Sequence, residues 1–386
     1  MKRTIHLVAF LIYLSTPLQF IYGQAFYFPE RNATWRKATP NQYDYNGKKL
    51  QTAIDFALAN EYSGSRDLRQ AILKGFQREP FHEILGPTKK RGGPAGMILK
   101  NGFLLASWGD IKRVDMTFSV TKSFLSTTTG LAWDQGLISD VDDKVGKYIW
   151  DGTFNGEHNG KITWEHLLQQ NSDWSGELWG LKDWADRPPR EGGLDDWKFR
   201  KLNEPGSVME YNDVRVNVLS YSLTHLWRKP LPMVLKEHFM DKIDASTTWR
   251  WHGYNHAWTE VDGIQMKSVT GGGHSGAGLF ISSEDMARFG LVFLNHGKWK
   301  NEQIISEDWL KKATEPSVPN VNYGYMWWLN RKGSRHWEGV PEHLFYAAGF
   351  GGNFIVIDQE SGLMIVTRWL EPQKIGEFVK LVYDAF

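Results

Sequence analysis

The chain has 386 residues, enough for one large domain or two packing units at roughly 100–200 residues per domain. Its 41% apolar and 23% charged content excludes a disordered, collagenous or coiled-coil chain. Lys and Arg number 45 against 44 Asp and Glu, a net charge of +1 without a block of like charge, so nothing suggests a nucleic-acid partner. There is no cysteine, which excludes disulfides, thiolate nucleophiles, iron–sulfur clusters and lipid anchors on Cys.

In chain order, Lys2 and Arg3 precede an apolar run over residues 7–14, and small or polar residues follow to Gly23-Gln24-Ala25. That is the order of a secretory signal peptide cleaved near Gly23. The run is far shorter than the roughly 20 residues a membrane span needs, so no stable span is expected. Residues 24–386 are then the mature, periplasmic or secreted chain. Residues 50–58 suggest a short helix. Two apolar runs flank Asn101-Gly102 within residues 96–108, a strong hairpin signal. Residues 118–135 fit a buried helix ending near Gly136, residues 141–150 a loop with a short helix, and Thr163 starts another helix. Residues 172–206 are rich in Trp, Gly, Pro and charge without a period, and such long irregular stretches are usually functional or disordered. Residues 214–227 fit a helix stopped by Lys229-Pro230. Residues 277–281 fit a strand, after which Ser282 or Ser283 caps a helix to about Asn295. Residues 353–358 and 363–369 are β-rich, and a helix over 374–386 closes the chain. Strands near both ends and helices between them predict an α+β fold. The sheet part falls at about 50–140 and 255–386, the helical part at about 141–254.

Three segments carry candidate chemistry. Ser119-Val120-Thr121-Lys122 puts a hydroxyl and an amine on one helix face, at a helix start whose free N–H groups favour a developing oxyanion. A serine needs an adjacent base to become a nucleophile, and a buried Lys can serve if burial disfavours its ammonium. An ordinary helix start with an extended Lys gives the same pattern. Glu210-Tyr211-Asn212-Asp213 places a Tyr before a helix, where it could relay protons; most tyrosines simply pack. Ala347-Ala348-Gly349-Phe350-Gly351-Gly352-Asn353 leads into a strand, and its glycines allow close backbone approach. A backbone N–H there could be a second oxyanion donor, or the segment is a plain turn.

In this order the three segments resemble the serine β-lactamase/penicillin-binding-protein superfamily. The likeness is to the branch of class C β-lactamases, family VIII carboxylesterases and 6-aminohexanoate-dimer hydrolases. It covers roughly residues 90–370 and includes residues 162–168, Pro205-Gly206 and residues 285–290. The resemblance implies an antiparallel sheet flanked by helices plus an all-helical subdomain. It implies Ser119 as nucleophile, Lys122 as activating base and Tyr211 as proton relay. The N–H groups of Ser119 and Phe350, the latter following Gly349, would form the oxyanion hole. The sequence departs from the family at Asp213, where Asn is usual. An ionised Asp213 beside Lys122 would favour the ammonium, so that a Tyr211 phenolate or a protonated Asp213 would be needed. It departs again at Ala347-Ala348, where β-lactamases and peptidases carry Lys or His, then Thr. That argues against β-lactam hydrolysis and favours esters or amides without the carboxylate those residues hold.

Other patterns carry less. Gly271-x-Gly273-x-x-Gly276 lacks the preceding strand of a dinucleotide site. Gly273-His274-Ser275-Gly276-Ala277 lacks the last Gly and the strand order of a nucleophile elbow, although His274 could line the cleft. His252 and His256 lack a third ligand in a zinc-binding pattern, so neither a metal nor a cofactor is expected. Trp174, with Trp179, Trp184 and Trp197, suggests an aromatic wall suited to an aryl, acyl or saccharide-linked substrate. The expected activity is hydrolysis of an ester or amide through an acyl-enzyme on Ser119. The alternatives are a non-catalytic glycan- or peptide-binding protein on the same fold, or a β-lactamase.

Overall fold

The computed structural model describes residues 26–386; the signal-peptide segment lies outside the described residues. The largest sheet contains β1 (Ala95–Lys100), β2 (Phe103–Trp108), β3 (Trp328–Leu329), β4 (Phe345–Gly349), β5 (Asn353–Asp358) and β6 (Leu363–Arg368). Their order across the sheet is β3-β4-β5-β6-β1-β2, with every neighbouring pair antiparallel. The expected hairpin joins β1 to β2, and its turn takes φ of 47° at Asn101 and 83° at Gly102, the left-handed pair that matches strand twist. β1 pairs with β6 from Ala95 opposite Arg368 to Lys100 opposite Leu363. This seam joins the two halves of the sequence.

Both faces of the sheet are covered, which is why β5 and β6 are buried along their whole length. Strand alternation sends Ile98, Val356 and Ile365 to one face, against helices Gly47–Ala59 and Ile375–Tyr383. Met97, Leu99, Ile355, Ile357 and Met364 go to the other, against helix Ser283–Leu294. Ser282 caps that helix by accepting from the Asp285 N–H. The expected α+β class and sheet-plus-helix architecture are present.

Between the two sheet segments lie helices Trp164–Leu168, Asp213–Trp227 and Leu231–Leu235. A capping box between Thr163 and His166 starts the first. Residues 172–206 hold only a short hairpin, Glu177–Leu178 with Leu181–Lys182, a 3-10 turn and helix Leu194–Lys198. Ion pairs replace regular structure there. Buried Arg215 reaches Asp173 at 2.5 Å, Asp183 at 3.3 Å and Glu210 at 2.6 Å, and Arg200 donates to Asp173 at 2.9 Å.

Candidate active site

The segment expected as one helix over 118–135 has two parts. Phe118–Val120 forms a single 3-10 turn, and the α-helix proper is Thr121–Asp134. Phe118 has a φ of 51°, a conformation rare for a bulky residue. Rings on both sides hold it there, Phe350 at 5.0 Å and Trp369 edge-on at 6.4 Å. This bend sets half-exposed Ser119 at the positive end of the buried helix.

Lys122 Nζ lies 3.0 Å from Ser119 Oγ, as the spacing predicts. It also lies 2.5 Å from Asp213 Oδ1, and both side chains of that pair are buried. Asn212 is the N-cap of helix Asp213–Trp227, accepting from the Arg215 N–H. Asp213 is thus the first helical residue, a favourable place for a carboxylate. Asp186 accepts the Asp213 and Val214 N–H groups. Arg187 lies 2.6 Å from Asp186 Oδ1 and 2.5 Å from Asp213 Oδ2. Burial pushes the Asp213 carboxyl up, but Lys122 and then Arg187 outweigh it and hold it far below the usual carboxylate range. Burial likewise disfavours the Lys122 ammonium, but Asp213 and then Tyr211 hold its pKa above the ordinary value. Lys122 therefore contacts Ser119 as a donor.

Tyr211 meets these cations through its ring. Lys122 Nζ is 4.8 Å and Arg187 Cζ 5.3 Å from the ring centroid, and the ring stacks on Trp328 at 5.9 Å. Gly349, at the end of β4, lies against the nucleophile turn. A Cβ there would fall 2.2 Å from Thr117 O and 3.3 Å from Ser119 N, so no side chain fits. Asn353 donates to the Phe350 carbonyl at 2.7 Å and fixes the turn. The backbone N–H groups of Ser119 and Phe350 have no hydrogen-bond acceptor among the described residues.

Ser119, Tyr211, Asp213, His274, Gly349 and Phe350 line one cleft of about 1070 Å3. Ala347 faces the core, and the neighbouring Ala348 presents its methyl to the cleft. Trp174 does not line it, contrary to expectation. It is buried in the core, with Nε1 donating to Thr153 O at 2.9 Å. The local density of Trp in residues 172–206 misled, because buried and cleft-lining tryptophans share one composition. The aromatic wall belongs instead to Trp328, Trp337, Tyr346 and Phe354. His252 and His256 diverge: His252 packs edge-on to Phe280, and His256 Nε2 lies 2.7 Å from Trp179 O.

Sequence reasoning missed Arg187, Asp186, Glu79 and His82. His274 Nε2 lies 2.6 Å from Glu79 Oε2, which is 3.5 Å from His82 Nδ1, and Arg187 lies 3.1 Å from His274 Nδ1. The signal available was the Asp186-Arg187 pair ahead of two prolines, but nothing in its spacing points to Asp213.

Comparison with known proteins agrees with this geometry. The architecture is similar to that of a family VIII carboxylesterase, at 16% identity and a TM-score of 0.56, over 77% of this chain and 93% of the other. A penicillin-binding protein homologue from Caulobacter crescentus matches at 13% identity and a TM-score of 0.55, over 76% and 92%. EstCE1, a hydrolase with promiscuous acyltransferase activity, matches at 15% and 0.53, over 88% and 98%. At these identities the likeness establishes the fold. A model of the beta-lactamase family matches residues 114–373, more than half of the chain and the whole stretch from Ser119 to Phe350. The chain belongs to the beta-lactamase family.

Proposed function

We propose that the protein is an exported serine hydrolase that cleaves an ester or amide through an acyl-enzyme on Ser119. The observation that carries this is the contact of a half-exposed Ser119 with buried Lys122, 3.0 Å apart, beside two N–H groups that have no acceptor among the described residues. Export rests on the pattern of residues 1–23. Tyr211 begins as the phenolate; Ser119 Oγ attacks the substrate carbonyl carbon, and its proton passes to the Tyr211 oxygen. Lys122 holds its proton against Asp213, so it orients Oγ and offsets charge while Tyr211 accepts. Lys122 and Arg187 flank the Tyr211 ring and would balance a negative phenolate oxygen. The N–H groups of Ser119 and Phe350 receive the carbonyl oxygen as it becomes anionic. Tyr211 then returns the proton to the leaving alcohol or amine. Water attacks the acyl-enzyme by the same route in reverse and releases the acid and free Ser119.

Two observations favour a carboxylesterase over a β-lactamase. Ala348 offers the cleft neither a cation nor a hydroxyl for a substrate carboxylate. The wall of Trp328, Trp337 and Tyr346 suits an acyl, aryl or saccharide-linked group. The Asp213–Lys122 pair favours a second reading, a binding protein that has lost turnover.

Intact-protein mass after fluorophosphonate treatment separates the two readings. One adduct on wild type, absent in Ser119→Ala, supports the hydrolase. Turnover of p-nitrophenyl esters, a small amide and nitrocefin then ranks the substrates, with esters expected first. A folded wild type without an adduct rejects the hydrolase and leaves the binding protein.

A further inference from the structure

The two backbone N–H groups that would receive the oxyanion come from two different sheets. Phe350 follows β4 of the large sheet. Ser119 follows strand Asp115–Met116, which pairs with strand Gly278–Ile281 in a separate three-stranded sheet. An oxyanion hole works only if both donors are in place before the charge develops. One sheet must therefore be held against the other.

Arg368, the last residue of β6, makes that connection. Its side chain is buried and does not line the cleft. Nη1 donates to Met116 O at 2.9 Å and to Asn353 Oδ1 at 3.2 Å, with Asp115 O at 3.5 Å. Nη2 donates to Ile281 O. One guanidinium on the large sheet thus grips two strands of the small one. Through Asn353 it also reaches the second donor. Asn353 is buried and pairs with Gly349 to close the turn over 350–352. An arginine can only donate, so the Asn353 amide turns its oxygen to Arg368. Its Nδ2 is left for Phe350 O, at 2.7 Å. Without a donor at 368, Asn353 Oδ1 would be buried unpaired, and the amide could satisfy it only by leaving Phe350 O.

Packing alone does not call for a charge here. Burial pushes the guanidinium down to about 10, against the opposing charge of Asp115, so Arg368 is still cationic at pH 7. Asp115 pairs with Arg113 instead, at 3.1 Å. Every acceptor that Arg368 reaches is an uncharged carbonyl oxygen, and its Nε has no partner. A buried charge without a counter-ion is costly, and an apolar side chain would fill the same space. What arginine alone offers is a rigid planar fork that fixes several acceptors at once.

We propose that Arg368 is a positioning residue for catalysis, which sets the distance between the Ser119 and Phe350 N–H groups through Met116 and Asn353. It acts only through these two segments, and the role rests on the hydrolase reading of Ser119.

The test compares p-nitrophenyl acetate with its thiono analogue, whose sulfur accepts hydrogen bonds poorly. Arg368→Met, Asn353→Ala and the double variant are measured beside wild type, with urea unfolding to confirm that each is folded. Each single variant should lose about tenfold or more in kcat on the oxygen ester, with KM within about threefold of wild type. The thiono ester gains little from the hole and should lose less, so the oxygen-to-sulfur ratio of kcat/KM should fall at least about fivefold. The double variant should lose less than the product of the two single losses, because both changes break one chain of contacts. Asn353→Ala decides the matter if Arg368→Met does not fold. Folded variants that keep the wild-type ratio, even with lower stability, overturn the proposal and leave Arg368 a structural residue. Losses that multiply in the double variant overturn the link through Asn353 and the proposal with it. A wild type that takes no fluorophosphonate adduct and turns over neither ester rejects the hydrolase reading and this role together, whereas wild-type turnover with unchanged ratios rejects this role alone.

Discussion

The strands over 353–358 and 363–368 alternate between two apolar layers, and each is paired with a strand on both sides. Residues 172–206 have almost no regular structure, yet Asp173, Asp183 and Asp186 within them are as buried as the sheet. Packing of many small contacts holds the first region, and a few buried charges anchored by Arg215, Arg200 and Arg187 hold the second. The energetics differ accordingly. A sheet residue loses what its own atoms contribute. A charged residue in the second region leaves a partner buried without compensation, which costs more than the pair itself contributes. The nucleophile stands where the regions meet: Ser119 abuts β4 through Gly349, and Lys122 joins Asp213.

Asp213→Asn should have the largest effect. It strands Lys122 and leaves Arg187 with Asp186 alone, and removing one partner of a buried pair costs about 3–5 kcal/mol, to be read from urea unfolding. The wild-type carboxyl is held far below its ordinary range, so its contribution is present above the unfolded carboxylate pKa and is lost as pH falls through the folded one. The part of the difference that comes from the Asp213 carboxyl should therefore be flat from about pH 5 to 8. Burial, with Arg187 and against Tyr211, then disfavours the Lys122 ammonium, so a new rise in the pH–rate profile should appear as Lys122 deprotonates. An unchanged stability would mean that the second region does not depend on its charges. Ile355→Ala, in the sheet under helix Ser283–Leu294, should cost about 2–5 kcal/mol and leave the activity of the folded enzyme unchanged. A loss of kcat without loss of stability would break the division between the regions.

His82 tests the charged region without removing a charge at pH 7. Its pKa in the fold is about 4, against an ordinary 6.5, so the unfolded chain binds more protons between those values. Its contribution is full above about pH 6.5 and falls by about 3 kcal/mol as pH drops to about 4. His82→Gln should lack that slope when unfolding free energy is compared at pH 7 and pH 4.5. Parallel slopes would show that His82 titrates freely in the fold.

The same division governs what the sequence discloses. The hairpin at Asn101-Gly102, the strands after Asn353 and the helices over 214–227 and 283–294 were legible because burial imposes a period on the chain. Ser119 and Lys122 were legible as a pair because helical spacing puts them on one face, whereas Tyr211 and Gly349 stood out only because the order of the three segments resembles the family. Arg187, Glu79 and His82 were not, because an ion pair needs only two tips in contact and sets no period along either segment. Trp174 was misplaced for a related reason: an indole in an irregular loop has no alternation to show which side it faces. The bend at Phe118 was missed because the left-handed φ comes from rings at 350 and 369, far along the chain.

Gly290→Ala probes the smallest margin, within the packed region alone. Gly290 lies in the middle of helix Ser283–Leu294, where Ala is intrinsically better by about 1 kcal/mol. A Cβ there would lie 2.4 Å from Met364 Sδ and 2.9 Å from Ile355 Cγ2, so the helix rests on the sheet with no room for a methyl. Overpacking costs about 1–3 kcal/mol. Met364 can move its thioether end, while branched Ile355 cannot turn without leaving its rotamer. The net effect should be a loss of about 1 kcal/mol, the overpacking offset by helix propensity. Ile355→Ala removes the crowding Cγ2 and should recover part of that loss, so the double variant should be more stable than the sum of the single changes. Strict additivity in urea unfolding would mean that the helix shifts as a unit, and that close packing of Gly290 on Ile355 does not fix its distance from the sheet.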